Sequence, residues 1–294
     1  MRASGNVRLE NITITVEQVR KKLSKLNANK ASGPDGIHIN VLWKCLNFAM
    51  PLAILFQYSL DTGEIPQDWR DANVSPLFKN GSRLLCSNYR PVSLTSQVVK
   101  ILERCILDHI NLTLARNNFI QSCQHGFQAG SSCVTQLLKS LEDWTTNLDE
   151  GKGTDIIYMD LAKAFDRVPH KRLQQKIMDA GIQGTVAKWI QHFLNDRRQK
   201  VVLRNGSSGW RNVISGVPQG SILGPILFLI YVNDMPDRLV STAKMFADDT
   251  KVYRQIEEVN DCEILQRDLD ELQNWSKQWL LTFNESKCVV LRIK

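Results

Sequence analysis

Three aspartates stand where carboxylates are hard to keep. Asp160 falls within the near-continuous apolar run Asp155-Ile-Ile-Tyr-Met-Asp-Leu161, whose neighbours belong in a core. Asp248 and Asp249 lie between Met245-Phe246-Ala247 and the Val252-Tyr253 pair. A carboxylate buried without a partner needs a cation, hydrogen-bond donors or protonation, and two adjacent ones repel unless positive charge sits between them. Taken singly, each has a plain reading. Asp160 fits a strand-end aspartate paired with a helix N-terminus or with a lysine such as Lys163, and Asp248-Asp249 fits turn chemistry. Taken together, three carboxylates on neighbouring strands make a hard oxygen cage suited to Mg²⁺ bound with substrate phosphates. Two such ions, about 3.5–4 Å apart, activate an attacking hydroxyl and stabilise a leaving oxygen in line with it.

The elements around these residues follow from periodicity. Asp155–Leu161 reads as a strand covered on both faces. Ala243–Phe246 and Thr250–Tyr253 read as a hairpin with the aspartate pair at its bend. A helix to Trp279, with Asn260 and Glu263 as its capping box, carries the stripe Leu265, Leu269, Leu272, Trp275 and Trp279. Cys288–Ile293 closes as a strand. Upstream, helices are expected over 13–27, 97–116 and 133–148, and strands over 73–79 and 89–94 around Asn80-Gly81. Further helices fall at 170–180, 185–194 and 221–231, and a hairpin flanks Asn205-Gly206. Helices interspersed with hairpins indicate an α+β (mixed α/β) chain.

The 294 residues carry a net charge of +7, consistent with a polyanionic partner but not specific to one. Seven cysteines with no C-x-x-C pair, five histidines and no H-E-x-x-H argue against zinc and for reduced thiols. Met1–Arg20 has no apolar core of a signal peptide, and the run Ile222–Val232 is too short to span a bilayer.

At this point the motifs resemble a known family. Ile156-Ile-Tyr-Met-Asp-Leu-Ala-Lys-Ala-Phe-Asp-Arg-Val-Pro-His170 looks like polymerase motif A of reverse transcriptases from non-LTR (LINE, jockey or CR1-like) retrotransposons. Ser215-Gly-Val-Pro-Gln-Gly-Ser-Ile-Leu-Gly-Pro225 looks like their motif B, and Phe246-Ala-Asp-Asp249 like motif C. Asn88-Tyr-Arg-Pro-Val-Ser-Leu94 and Gln124-His-Gly-Phe127 resemble their upstream motifs, in the same order.

The resemblance implies a right-hand polymerase: an N-terminal extension at 1–12, fingers over 13–150, and a palm over 151–294 with an antiparallel sheet backed by helices, the thumb absent. It implies RNA-templated DNA synthesis from dNTPs on a DNA primer, two Mg²⁺ with Mn²⁺ as a substitute, and residence in the nucleus, with the cytoplasm as the alternative. It gives Asp160, Asp248 and Asp249 the metals, with the Leu161 carbonyl as a further ligand. Phe165 matches the ring that bars a ribose 2′-OH, a residue that also fits a plain core position. Gln219 and Gly220 match the pair that packs on the incoming nucleotide; Gly216, Pro218 and Gly220 also fit a simple turn. Arg90, with Lys79 on the partner strand, matches a triphosphate grip, and both also fit solvated surface charges. Lys287 matches the lysine that protonates pyrophosphate, and equally a surface lysine at a strand start. The chain departs from the pattern at Gln128 and Ser131, where relatives carry arginines. That departure supports a second expectation, a transposon-derived fragment that binds nucleic acid without polymerising. A basic structural module would leave the aspartates without a purpose.

Overall fold

The computed structural model describes residues 7–294. Of the expected N-terminal extension, residues 1–6 lie outside the described residues; Leu9 and Ile12 are buried, and Leu9 bridges to Ile182. Helices α1 (Val16–Ser24), α2 (Ile39–Lys44), α3 (Ala49–Thr62) and α4 (Gln67–Arg70) precede strands β1 (Ala72–Phe78) and β2 (Tyr89–Thr95). Then come α5 (Gln97–Arg116), α6 (Cys133–Asp149), β3 (Gly153–Met159), α7 (Ala164–Arg167), α8 (His170–Asp179) and α9 (Gly184–Leu194). Strands β4 (Arg197–Leu203), β5 (Gly206–Ser207) and β6 (Arg211–Val213) lead to α10 (Gly224–Val232). The chain finishes with β7 (Thr242–Phe246), β8 (Asp249–Ile256), α11 (Val259–Trp279) and β9 (Val289–Ile293). No helix among the described residues is long and apolar enough to cross a membrane.

Two compact units interleave along the sequence. The first combines the described residues up to Phe119 with Leu173–Leu227. Its helical core forms where α1 packs on α3 and α5, and α3 on α9. Trp189, stacked on Phe193 at 5.2 Å, is fully buried, and its indole N–H donates to Ser59 Oγ at 3.0 Å. That bond meets the polar demand of a buried indole. The sheet of this unit runs β2-β1-β4, with β5 and β6 pairing β4. β1 and β2 are antiparallel, whereas β1 and β4 are parallel. Arg198 grips the buried Asp71 with two bonds of 3.0 and 2.7 Å, fixing the start of β4 beside the start of β1.

The second unit combines Ile120–Arg172 with Phe228–Lys294. Its four strands run β7-β8-β3-β9, every pair antiparallel, as expected for the sheet that carries Asp160 and the Asp248-Asp249 hairpin. Ile156, Trp144 and Tyr253 form a cluster where α6 meets the sheet, and α11 packs on β8. The stripe of α11 buries Leu265, Leu272 and Trp275.

Local corrections are few. The strand expected to run to Leu161 ends at Met159. The capping box of α11 is made by Glu258 and Asp261, not Asn260 and Glu263, because the helix starts at Val259. The helix expected over 97–116 begins and ends there, but α5 is buried on more than one stripe and takes Glu103 inside.

Candidate active site

β3 delivers Asp160 and the β7–β8 hairpin delivers the other two aspartates. The ladder between β3 and β8 ends at Met159↔Thr250, so Asp160 and Asp249 are the next residues along two adjacent strands. Phe246 pairs with Asp249, which leaves Ala247 and Asp248 as the two residues of the bend. Ala247 turns the chain with a left-handed φ of +58°. Asp249 stays open to solvent on one side, yet burial raises its carboxyl above the usual range and the charge of Asp160 adds to the rise. Lys287 and Lys251 pull it back. A carboxylate whose proton affinity is raised by a neighbouring carboxylate marks a site short of positive charge.

A segment from the end of the chain partly supplies that charge. The Asn284 N–H donates to the Asp160 carbonyl, and the Ala162 N–H to the Thr282 carbonyl, both at 2.8 Å. These bonds flank Leu161, which is buried and bridges to Phe283. They bring Lys287 to Asp160, with Nζ 2.7 Å from Oδ2. The hydrogen bond to Asp160 raises the Lys287 ammonium above the ordinary lysine range, and Asp160, Asp248 and Asp249 add attraction. The lysine partner of Asp160 is therefore Lys287, not Lys163.

Among the described residues no three His, Cys, Asp or Glu side chains are grouped so that they could hold a metal ion by themselves. The donor chemistry still fits Mg²⁺: hard carboxylates stand at the ends of two adjacent strands, and substrate phosphates complete such a sphere.

Phe165, on α7, stacks on Phe228 at 4.7 Å with the rings 17° apart, and Phe127 meets it edge-on at 6.3 Å. The ring is half-buried and packed on one face.

The remaining expected residues belong to the first unit. Arg90 pairs opposite Leu77, and the Lys79 N–H donates to the Asn88 carbonyl at 2.9 Å. The pleat puts exposed Arg90 and Lys79 on the same face of the hairpin. The Ser93 N–H donates to the Gln219 carbonyl at 2.7 Å, and Gly220 lies against the Ser93 carbonyl. A β-carbon on Gly220 would sit 2.3 Å from that oxygen, at a φ of +125°. Gly220 is therefore required by close approach as well as by conformation. Lys79, Arg90, Gln219 and Gly220 thus share the β1–β2 ribbon.

Below this ribbon, Glu103 is fully buried, and its Oε2 accepts the Ile222 and Leu223 N–H groups at 2.8 and 2.9 Å. Burial raises its carboxyl, while those amides, Lys100 and Arg197 counter the rise. Arg197 is itself buried, and its guanidinium falls to about 10.

Residues 77–293 match the family model described as reverse transcriptase (RNA-dependent DNA polymerase). The chain belongs to the reverse transcriptase family. Its relatives include the Drosophila melanogaster RNA-directed DNA polymerase from mobile element jockey, 29% identical over 289 residues. That alignment covers 94% of this chain and 31% of the relative. The probable RNA-directed DNA polymerases from transposon BS and transposon X-element of the same fly are 29% and 30% identical. They are covered to 32% and 30%, with 94% and 92% of this chain aligned. This reverse transcriptase chain therefore spans about a third of the length of the curated relatives it matches.

Two residues carry structural weight that the sequence reading did not assign. Glu103 stands in a helical pattern next to Arg104 and one turn after Lys100, so nothing local marks it as buried. Gln124 belonged to a recognised motif, but nothing in its type indicated a role.

Proposed function

We propose that this chain is the RNA-directed DNA polymerase core of a non-LTR retrotransposon, extending a DNA primer with dNTPs on an RNA template in the nucleus. The reading is carried by the register that sets Asp160 beside Asp249 at the ends of β3 and β8. Family membership and the mobile-element relatives support it further.

Asp160, Asp248 and Asp249, with the Leu161 carbonyl, would hold two Mg²⁺ or Mn²⁺ ions, which would lower the pKa of the primer 3′-OH and stabilise the departing pyrophosphate. The chain's own groups do the rest. Lys287, already against Asp160, hands a proton to the leaving oxygen. Phe165 closes the space a ribose 2′-OH needs, the hydroxyl that separates RNA from DNA. Gln219 and Gly220 offer backbone to the base and sugar of the dNTP, while Arg90 and Lys79 grip its triphosphate.

The test is Mg²⁺-dependent extension of a DNA primer on an RNA template by wild type and Asp248→Asn. Extension by wild type alone supports the reading; equal extension by both contradicts it. RNA binding that weakens with salt and is never followed by dNTP incorporation would favour a non-catalytic nucleic-acid-binding fragment.

A further inference from the structure

We propose that Gln124 is a positioning residue for the turn that carries Asp248 and Asp249. The inference rests on the polymerase reading for its functional consequence, but not for its geometry. Gln124 is nearly buried, and its Oε1 accepts two backbone N–H groups, Gly126 at 2.8 Å and Ala247 at 2.9 Å. Ala247 holds the left-handed conformation that alanine seldom adopts, and it does so directly before the aspartate pair. An N–H fixed by a buried acceptor is what keeps such a backbone in place when the residue's own preference opposes it.

The surrounding backbone points the same way. The Met245 N–H donates to the Cys123 carbonyl and the His125 N–H to the Met245 carbonyl, both at 2.8 Å, so the 123–125 segment runs along β7 as a short parallel partner. Gly126 then crosses the bend so closely that a β-carbon there would lie 2.4 Å from the Ala247 nitrogen. Phe127 ends the segment edge-on to Phe165. One tetrapeptide therefore touches both the aspartate turn and the sugar-facing ring.

The residue type matters too. An amide oxygen accepts the Gly126 and Ala247 N–H groups without charge, whereas a carboxylate at this place would add negative charge beside Asp248 and Asp249.

The experiment uses the full chain, with Gln124→Met, which keeps length but removes the acceptor, and the double variant Gln124→Met with Ala247→Gly. Amide exchange across 245–249 is read alongside steady-state primer extension. Loss of one hydrogen bond should speed exchange of the Ala247 amide by roughly 5- to 10-fold and lower kcat by a similar factor, with KM for primer–template unchanged. Glycine adopts left-handed backbone freely, so the double variant should regain part of the lost kcat. Should Gln124→Met fail to fold, Gln124→Asn, which withdraws the acceptor by one methylene, is read in the same way. Unchanged Ala247 exchange, or a loss of kcat that Ala247→Gly does not relieve, overturns the proposal. Wild-type protein without any extension would sink the polymerase reading, while the exchange arm would still decide the role of Gln124.

Discussion

The Lys287 ammonium lies 2.7 Å from Asp160 Oδ2, with Asp248 and Asp249 within its electrostatic reach. Lys287 supplies positive charge to this cluster of carboxylates, and Lys251 adds to it at Asp249. A cation arriving at Asp160 must therefore compete with Lys287. The Lys287 side chain is 60% exposed, which limits the pair to the range of surface ion pairs, roughly 0–1 kcal/mol. Lys287→Met should tighten Mn²⁺ binding, by no more than about 5-fold. If Lys287 also protonates pyrophosphate, the same variant should lose about 10²-fold in kcat, in the range of general acid catalysis. A manganese titration followed by spin resonance reads the first effect, and single-turnover incorporation reads the second. Tighter metal binding with full kcat would leave Lys287 as a counter-ion only.

Glu103 makes stability depend on pH. Its carboxyl is raised by burial, so the folded protein holds that proton more tightly than the unfolded chain. The sign follows. This contribution to stability is complete below the ordinary carboxylate range and is lost as pH rises through the raised value. Glu103→Gln cannot ionise and keeps an acceptor for the Ile222 and Leu223 amides. Its stability relative to wild type should therefore improve as pH rises, in urea melts from about pH 4 to about pH 8. A difference that does not vary with pH would refute this. Glu103→Ala strands both amides and should destabilise by about 3–5 kcal/mol, as broken buried charged networks do.

How much of this was legible beforehand depends on how far apart in sequence the interacting residues lie. Asp160 and the Asp248-Asp249 bend declared themselves locally, because each is a carboxylate set into apolar neighbours. α5 was readable to the residue, since Ser96 caps its start, with Oγ accepting the Val98 N–H at 3.1 Å, and apolar residues recur at helical spacing. The family resemblance pointed to Lys287, but its pairing with Asp160 was not readable: Lys163 is near in sequence, whereas Lys287 is brought there by the Asp160–Asn284 and Ala162–Thr282 backbone bonds. The parallel pairing of β1 with β4 is of the same kind, a long-range match secured by Asp71 and Arg198. Glu103 escaped for another reason. A glutamate in a helix reads as a solvent-facing residue, and only the packing of the Ile222–Leu223 amides above it explains why it is inside.

The ring of Phe165 should set sugar selectivity. It is held by Phe228 on one face and by Phe127 at its edge. Phe165→Ala should admit ribonucleotides, lowering dNTP over rNTP preference on the order of 10–100-fold, the scale on which pocket shape discriminates. Phe127→Ala should move the preference in the same direction by less, because it frees the ring without removing it. Competition between a dNTP and its rNTP in primer extension measures both. Unaltered preference in Phe165→Ala would reduce the residue to a core phenylalanine.

Gly220→Ala tests whether the 219–220 segment must lie flat on β2. The added methyl would meet the Ser93 carbonyl at 2.3 Å, and backbone cannot retreat as a flexible side chain can. The φ of +125° adds a conformational penalty of about 1–3 kcal/mol for any residue with a β-carbon. The segment should lift away from Ser93, taking Gln219 with it. Because the aspartates proposed to hold metal belong to the other unit's sheet, the loss should fall on nucleotide binding. KM for the dNTP should rise by roughly 5- to 100-fold while the dependence of rate on Mg²⁺ concentration stays as in wild type. Ser93→Ala is the control, since the bond to Gln219 uses the backbone N–H and survives the change. Were Gly220→Ala to keep a wild-type KM, the contact with β2 would be packing alone, and the assignment of Gln219 and Gly220 to the nucleotide would fail.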